Sequence, residues 1–190
     1  MAEGRLILVV GPSGAGKDSL IAAAAEKLSA DTSYYFPKRE ITRPSDAGGE
    51  DHIEVSVEDF HATRESGGYA LSWEAHGLCY GVPAVLNQRI ESGATVVVNV
   101  SRSVPDAVRG KYLNLRVIFV TAPLDILAQR IASRGRESIE QVEARLLRAK
   151  IAMPQGSDVT VINNAGALED AVARFVAVLR PEAAHFTCHD

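Results

Sequence analysis

Cysteine is scarce in this chain. Cys79 and Cys188 are the two present in 190 residues, and they are too few and too far apart for a disulfide framework. An oxidising compartment is not called for, and the cytoplasm is the expected location. No apolar run approaches the roughly 18 residues of a membrane span, so a membrane partner is not expected. Met1 to Arg5 leads straight into a short apolar run without a signal-peptide pattern. Strong charge of one sign is also missing. Twenty Lys and Arg against 24 Asp and Glu leave a net −4, which lacks the basic excess of a nucleic-acid binder. Repeats and low-complexity tracts are absent. His185, Cys188 and His189 match no metal-site spacing, and Cys79 has no neighbour that would make it nucleophilic. With 46% apolar residues, the chain is an ordinary globular protein, sized for one domain with room for an insertion.

What is present starts at residue 11. Gly11-Pro12-Ser13-Gly14-Ala15-Gly16-Lys17-Asp18-Ser19 follows the apolar run Leu6 to Val10 and precedes an Ala-rich helical stretch. This is the P-loop pattern in its strand–loop–helix context. Its glycines let backbone N–H groups turn inward and cradle phosphate oxygens, and Lys17 reaches the β- and γ-phosphates. ATP is the expected nucleotide, with Mg²⁺. The residue after the lysine is ordinarily Ser or Thr, whose hydroxyl binds Mg²⁺. Here it is Asp18. A carboxylate beside a triphosphate calls for a cation between them, which makes Asp18 the candidate metal ligand, with Ser19 sharing the role. The bland alternative is an acid favoured at a helix start.

Strand and helix patterns alternate along the chain, which predicts an α/β fold with a parallel sheet flanked by helices. Strands are expected at 5–10, 95–100, 115–121 and 158–163. Helices are expected at 17–29, 123–134, 139–152 and 166–180. The stretch from about 33 to 92 reads as an insertion into a core of 5–32 and 93–180. It holds Thr42-Arg43-Pro44, a short helix opened by the capping box Ser56-x-x-Asp59, and a strand at 69–73. A turn is expected at Tyr80-Gly81, with Pro83 at the first position of a new helix. A tail follows Pro181.

Arginine is concentrated in one place. Arg130 and Arg134 are four apart, Arg145 and Arg148 three apart, with Gly135 and Arg136 between, so each pair shares a helix face. Beside a P-loop this reads as a mobile lid at about 130–150, with Arg130, Arg134 and Arg145 catalytic and Arg136 on the nucleotide. Such arginines stabilise charge on the transferring phosphoryl group and are worth on the order of 10³–10⁵ in rate. The competing reading is a solvated basic face paired with Glu137, Glu140 and Glu143. Arg43 and Arg102 are candidate clamps for an acceptor phosphate. Arg102 follows a strand end, at the carboxyl edge where open α/β sheets bind ligands; a surface charge is its alternative. Tyr80 is either a hydrogen-bond partner of that phosphate or packing. Asp51 and His52 are candidates for binding the acceptor or for a base, or belong to a loop turn. Trp73 reads as core.

These motifs resemble the guanylate kinase-like nucleoside monophosphate kinases over nearly the whole chain. Gly11 to Lys17, Thr42-Arg43, Asp51-His52, Val57 to Phe60, Tyr80-Gly81 and Arg134-Gly135 carry the resemblance. The guanine-reading positions of that family do not match. Leu71 stands where it has Glu, Val82 where it has Ser or Thr, and Asn99 and Ser101 where it has an acidic pair. Ser45-Asp46 replaces its second acceptor arginine. A site built for a purine edge needs polar partners, so guanosine monophosphate is not the expected acceptor.

The runs Gly11 to Ser19, Ile41 to Pro44, Gly49 to His52, Ala75 to Pro83 and Arg134 to Glu137 are similar to the ribose 1,5-bisphosphate phosphokinases. That resemblance implies transfer of the ATP γ-phosphoryl group to ribose 1,5-bisphosphate, giving 5-phosphoribosyl 1-diphosphate, in phosphonate breakdown. It makes a small sugar phosphate the partner. Guanylate kinase or another small-metabolite kinase, a non-enzymatic scaffold and an ATP-binding switch are the alternatives. The oligomeric state is left open, a homodimer being one option.

Overall fold

The computed structural model describes residues 4–47, 51–133 and 153–180. Among them, β1 (Arg5–Val10), β2 (Tyr34–Tyr35), β7 (Thr95–Asn99), β8 (Leu115–Thr121) and β9 (Val159–Asn163) form a parallel sheet in the order β2-β7-β1-β8-β9. A second, mixed sheet in the order β4-β3-β6-β5 is built from β3 (Glu40–Ile41), β4 (Ile53–Glu54), β5 (Tyr69–Ala75) and β6 (Leu78–Pro83). The helices are α1 (Lys17–Lys27), α2 (Val57–Glu65), α3 (Val85–Glu91), α4 (Val104–Val108), α5 (Leu124–Ala132) and α6 (Leu168–Leu179).

β1 is apolar on both faces because both are covered. Ile7 and Val9 join Leu20, Ala24 and Phe175, under α1 and α6. Leu6, Leu8 and Val10 join Leu71, Val82 and Leu86, from the mixed sheet and α3. The period-2 alternation of the strand thus feeds two separate cores. α1 begins at Gly16, whose φ of 85° lies in the left-handed region and whose absent Cβ would stand 2.4 Å from Asn164 Nδ2. Any side chain there would have to displace Asn164 or the loop.

The capping box of α2 forms as expected: the Asp59 amide donates to Ser56 Oγ at 3.0 Å, and that hydroxyl donates to the Asp59 carboxylate at 2.7 Å. Two expectations in this region are corrected. The turn lies at His76-Gly77, with φ of 56° and 74°, the left-handed pair required by a two-residue hairpin. Tyr80 and Gly81 are inside β6. Gly81 serves packing: a Cβ there would stand 2.4 Å from the Tyr69 ring. Pro83 ends β6 and does not open a helix; α3 starts two residues later. A strand end tolerates the missing N–H as well as a helix start does. The short strands β2, β3 and β4 and the helix α4 had no periodicity long enough to read in sequence. The helix expected at 139–152, the tail beyond Pro181 and most of the proposed lid lie outside the described residues.

Candidate functional site

β1 and β7 are neighbours in register, with Val9 opposite Asn99. The chain leaves β1 into the P-loop and leaves β7 into Val100-Ser101-Arg102. Both carboxyl ends open on one cavity of about 430 Å³. Six P-loop residues of the expected nucleotide set face it, Gly11 to Gly14 and Gly16 to Lys17, and so does Asp18, but Ala15 does not. Ala15 is fully buried, and its carbonyl accepts from Asn164 Nδ2 at 2.8 Å. Lys17 Nζ donates to the carbonyls of Gly11 at 3.0 Å and Pro12 at 3.1 Å, which holds the ammonium at the rim of the loop.

The opposite wall comes from the mixed sheet. Trp73 and Tyr80 are directly paired across the β5–β6 hairpin, and their rings stack at 5.3 Å with a 2° interplanar angle. The guanidinium carbon of Arg39 lies 5.6 Å from the Tyr80 ring centroid and 5.9 Å from that of Trp73, within cation–π range. Arg39 is only 8% exposed. Burial pulls its guanidinium down to about 10; the charges of Asp18 and Tyr80 oppose that shift and the charge of Arg43 adds to it. It still carries its charge at neutral pH.

Asp18, in the first turn of α1, faces the cavity, and its Oδ1 accepts from Asn99 Nδ2 at 2.6 Å. The carboxylate is thus aimed by an amide on the neighbouring strand. Its donor set suits magnesium: one carboxylate, beside a cradle for phosphate oxygens, where that ion commonly keeps several waters. Among the described residues no group of three or more His, Cys, Asp or Glu is placed to hold a metal. Ser19 opens instead onto a second cavity of about 330 Å³, together with Gly14, Gly16, Arg130, Ser133 and Asn164. Asn164 is 3% exposed, and its Oδ1 has no hydrogen-bond partner among the described residues.

Of the expected acceptor residues, Tyr80 and Arg102 line the first cavity. Arg43, Asp51 and His52 are not among its lining residues. His52 is buried and sits against Arg43, with Nε2 3.0 Å from its carbonyl oxygen and Nδ1 3.4 Å from its Nη2. Asp51 is exposed and pairs with Lys38 Nζ at 2.7 Å. Arg130 is beside the P-loop; Arg134, Arg136 and Arg145 lie outside the described residues. Leu71 and Val82 pair across the hairpin, buried in the core.

Sequence reasoning placed Trp73 in the core; the ring is half-buried, packs against the core that holds Leu71 and Val82, and also lines the cavity. It missed Arg39, Asn99 and Asn164 as site residues. Asn99 left a signal, the one amide in the apolar run Thr95 to Val100. Arg39 left none, since Lys38-Arg39-Glu40 reads as a solvated segment.

The guanylate kinase family model matches residues 3–182. Ribose 1,5-bisphosphate phosphokinase PhnN of Agrobacterium fabrum is 43% identical over 94% of this chain and 97% of its own length. Its counterpart from Rhizobium etli is 44% identical over 93% of this chain and 90% of its own length. Among solved structures, guanylate kinase from Anaplasma phagocytophilum superposes with a TM-score of 0.67, at 18% identity, over 94% of this chain and 85% of that one. The chain therefore belongs to the guanylate kinase family and, within it, to the ribose 1,5-bisphosphate phosphokinases.

Proposed function

We propose that the protein transfers the γ-phosphoryl group of ATP to the 1-phosphate of ribose 1,5-bisphosphate. An oxygen of that phosphate attacks the γ-phosphorus, the bond from γ-phosphorus to the β–γ bridging oxygen breaks, and ADP leaves. The product is 5-phosphoribosyl 1-diphosphate. The observation that carries this reading is the composition of the first cavity. A P-loop, with Arg102 beside it after β7, faces a wall of Arg39 and stacked aromatic rings, while Leu71 and Val82, at guanine-reading positions, are core residues. The wall suits a polyanion and offers no carboxylate to a purine edge.

The P-loop amides and Lys17 bind the triphosphate, and Arg130, beside them, stabilises charge developing on it. Asp18, oriented by Asn99, would hold Mg²⁺, which when bound would supply charge to neutralise phosphate oxygens. Arg134, Arg136 and Arg145 are proposed on sequence grounds to add guanidinium groups from the stretch at about 130–150. Residues 33–92 are the acceptor-binding part, and the cytoplasm, which supplies ATP, is the proposed location. The acceptor oxygen needs no protein base: a phosphate with a second pKa of about 6 is largely ionised at pH 7. Consistent with that, both ring nitrogens of His52 face Arg43, and Asp51 is engaged by Lys38.

The test is ADP formation from ATP with ribose 1,5-bisphosphate, guanosine monophosphate, adenosine monophosphate or no acceptor. Turnover is expected with the sugar bisphosphate and should be at least about a hundredfold weaker with either nucleotide. Guanosine diphosphate formation at the rate seen with the sugar would overturn the reading.

A further inference from the structure

Ala15 and Gly16 share one peptide group of the P-loop, and its two ends meet different surroundings. The Ala15 carbonyl is buried and accepts from Asn164 Nδ2 at 2.8 Å. Gly16 lines both cavities, whereas Asn164 lines only the second. The peptide is trans and planar, so its C=O and N–H point in opposite directions. Whatever fixes the Ala15 carbonyl toward Asn164 therefore fixes the Gly16 N–H away from it, toward the main cavity. Among the described residues no backbone carbonyl takes up that N–H. An inward amide of this kind is what a phosphate oxygen accepts from in a glycine-rich loop.

Asn164 is itself firmly placed. It directly follows β9, and its backbone N–H donates to the Thr121 carbonyl on β8 at 2.7 Å. Its side chain is buried at close range under the loop, since a Cβ on Gly16 would stand 2.4 Å from Nδ2. Chemistry decides which end of the amide meets Ala15, because a carbonyl oxygen can only accept. Oδ1 is thereby left buried, with no hydrogen-bond partner among the described residues. A buried acceptor without a partner costs stability, and an apolar side chain would carry no such cost. Asparagine here gives up stability and keeps a donor under the P-loop. Local rules are broken in this way at functional sites.

We propose that Asn164 is a positioning residue of the phosphate cradle: by holding the Ala15 carbonyl, it aims the Gly16 amide at a phosphate oxygen of the nucleotide. Asn164 touches no phosphate itself. The proposal rests on the nucleotide-binding reading of the P-loop and is independent of what accepts the phosphoryl group. It makes the end of β9, 149 residues further along the chain than Ala15, part of the machinery that binds ATP.

Isotopic labelling of glycine alone gives a short amide spectrum, with 15 glycines in the chain, in which Gly14 and Gly16 report on the loop. Wild type, Asn164→Ala and Asn164→Asp are titrated with ADP and Mg²⁺ by NMR, and KM for ATP and for the sugar bisphosphate is measured in parallel. In the wild type the Gly16 amide proton should move downfield and saturate, as an N–H does on meeting an anion. Asn164→Ala removes the donor and the orphaned acceptor together. Its ADP midpoint and its KM for ATP should rise about tenfold, with the Gly16 shift at saturation at least halved. The sugar KM should stay within about twofold and thermal unfolding near wild type. Asn164→Asp keeps the shape and sets an acceptor against the Ala15 carbonyl, so it should weaken ADP at least as much. A wild-type Gly16 amide that ignores ADP while Gly14 responds overturns the proposal. A folded Asn164→Ala with the wild-type midpoint and Gly16 shift overturns it as well. An equal rise in both KM values, with a fall in unfolding temperature, marks a purely structural residue and has the same consequence. Should Asn164→Ala fail to fold by circular dichroism, Asn164→Asp decides on the same readings, and failure of both to fold overturns the proposal. Silence of every glycine toward ADP overturns the nucleotide reading of the loop and this proposal with it, whereas turnover with the sugar tests the acceptor reading separately.

Discussion

The two walls of the main cavity are made of different material. On the P-loop side the ligand-facing surface is largely backbone, turned inward around Gly11, Gly14 and Gly16, with Lys17 folded onto the loop's own carbonyls. On the hairpin side it is side chain: Arg39, Trp73 and Tyr80, positioned by three adjacent strands. Backbone amides recognise phosphate oxygens whatever molecule carries them, so that wall suits a nucleotide shared by many kinases. Side chains differ from protein to protein, so in the proposed reading the other wall decides what accepts the phosphoryl group. The contrast predicts that damage to the first wall stops transfer to every acceptor, and damage to the second changes which acceptor binds.

The largest effect should come from Lys17→Ala. Its ammonium is the cation of the P-loop wall, on which the proposed reading sets the transferring oxygens. Loss of kcat by about 10³ or more is expected, by analogy with other charge-stabilising contacts in phosphoryl transfer. Thermal unfolding should stay near wild type, because Lys17 is partly exposed and its ammonium meets the carbonyls of a loop rather than the core. Near-normal turnover in a folded variant would show that this wall is not where transfer occurs.

Asp18→Asn should have a smaller effect and sharpens the boundary between the walls. Asp18 belongs to the P-loop helix, but it is aimed by Asn99 from the neighbouring strand. The substitution keeps the shape and removes the charge. The Mg²⁺ concentration for half-maximal activity at fixed ATP should rise about five- to tenfold, since magnesium sites lean on one or two carboxylates. An unmoved Mg²⁺ titration would leave Asp18 as an acid at a helix start, worth about 0.3–1 kcal/mol to α1.

The same contrast explains how much could be read from sequence. A backbone-made wall has a local signature, because glycines, lysine and flanking strand and helix are continuous over residues 5–27. Gly11 to Asp18 were legible for that reason, as were the central strands, whose apolar runs reflect cover on both faces. The other wall is assembled from Arg39, Trp73 and Tyr80, brought together by strand pairing with no sequence period. Its strands β3 and β4 are two residues long, too short for alternation to register. Tyr80-Gly81 read as a turn because glycine is a turn residue, whereas Gly81 makes room for Tyr69. Motif matching found Arg43 and passed over Arg39, four residues earlier, because burial of a guanidinium cannot be seen in a segment that reads Lys-Arg-Glu.

The smallest effect is expected at Asp51, and it tests whether the reaction uses a protein base. Asp51 is exposed and paired with Lys38 at 2.7 Å, and it does not line the cavity that holds Lys17 and Arg39. An exposed pair of this kind contributes about 0–1 kcal/mol to stability, so Asp51→Asn should fold normally. If the acceptor phosphate is its own nucleophile, activity requires that phosphate in its ionised form. The kcat/KM for the sugar should then fall as pH drops through about 6, the second pKa of the phosphate, in wild type and variant alike. Their kcat/KM values should agree within about twofold at pH 7.5. A general base would behave differently: its removal lowers rate by about 10²–10⁴ and removes its own pKa from the profile. A loss of that size in Asp51→Asn, with the acid limb displaced, would move the acceptor site from the Arg39 wall toward the Asp51 loop.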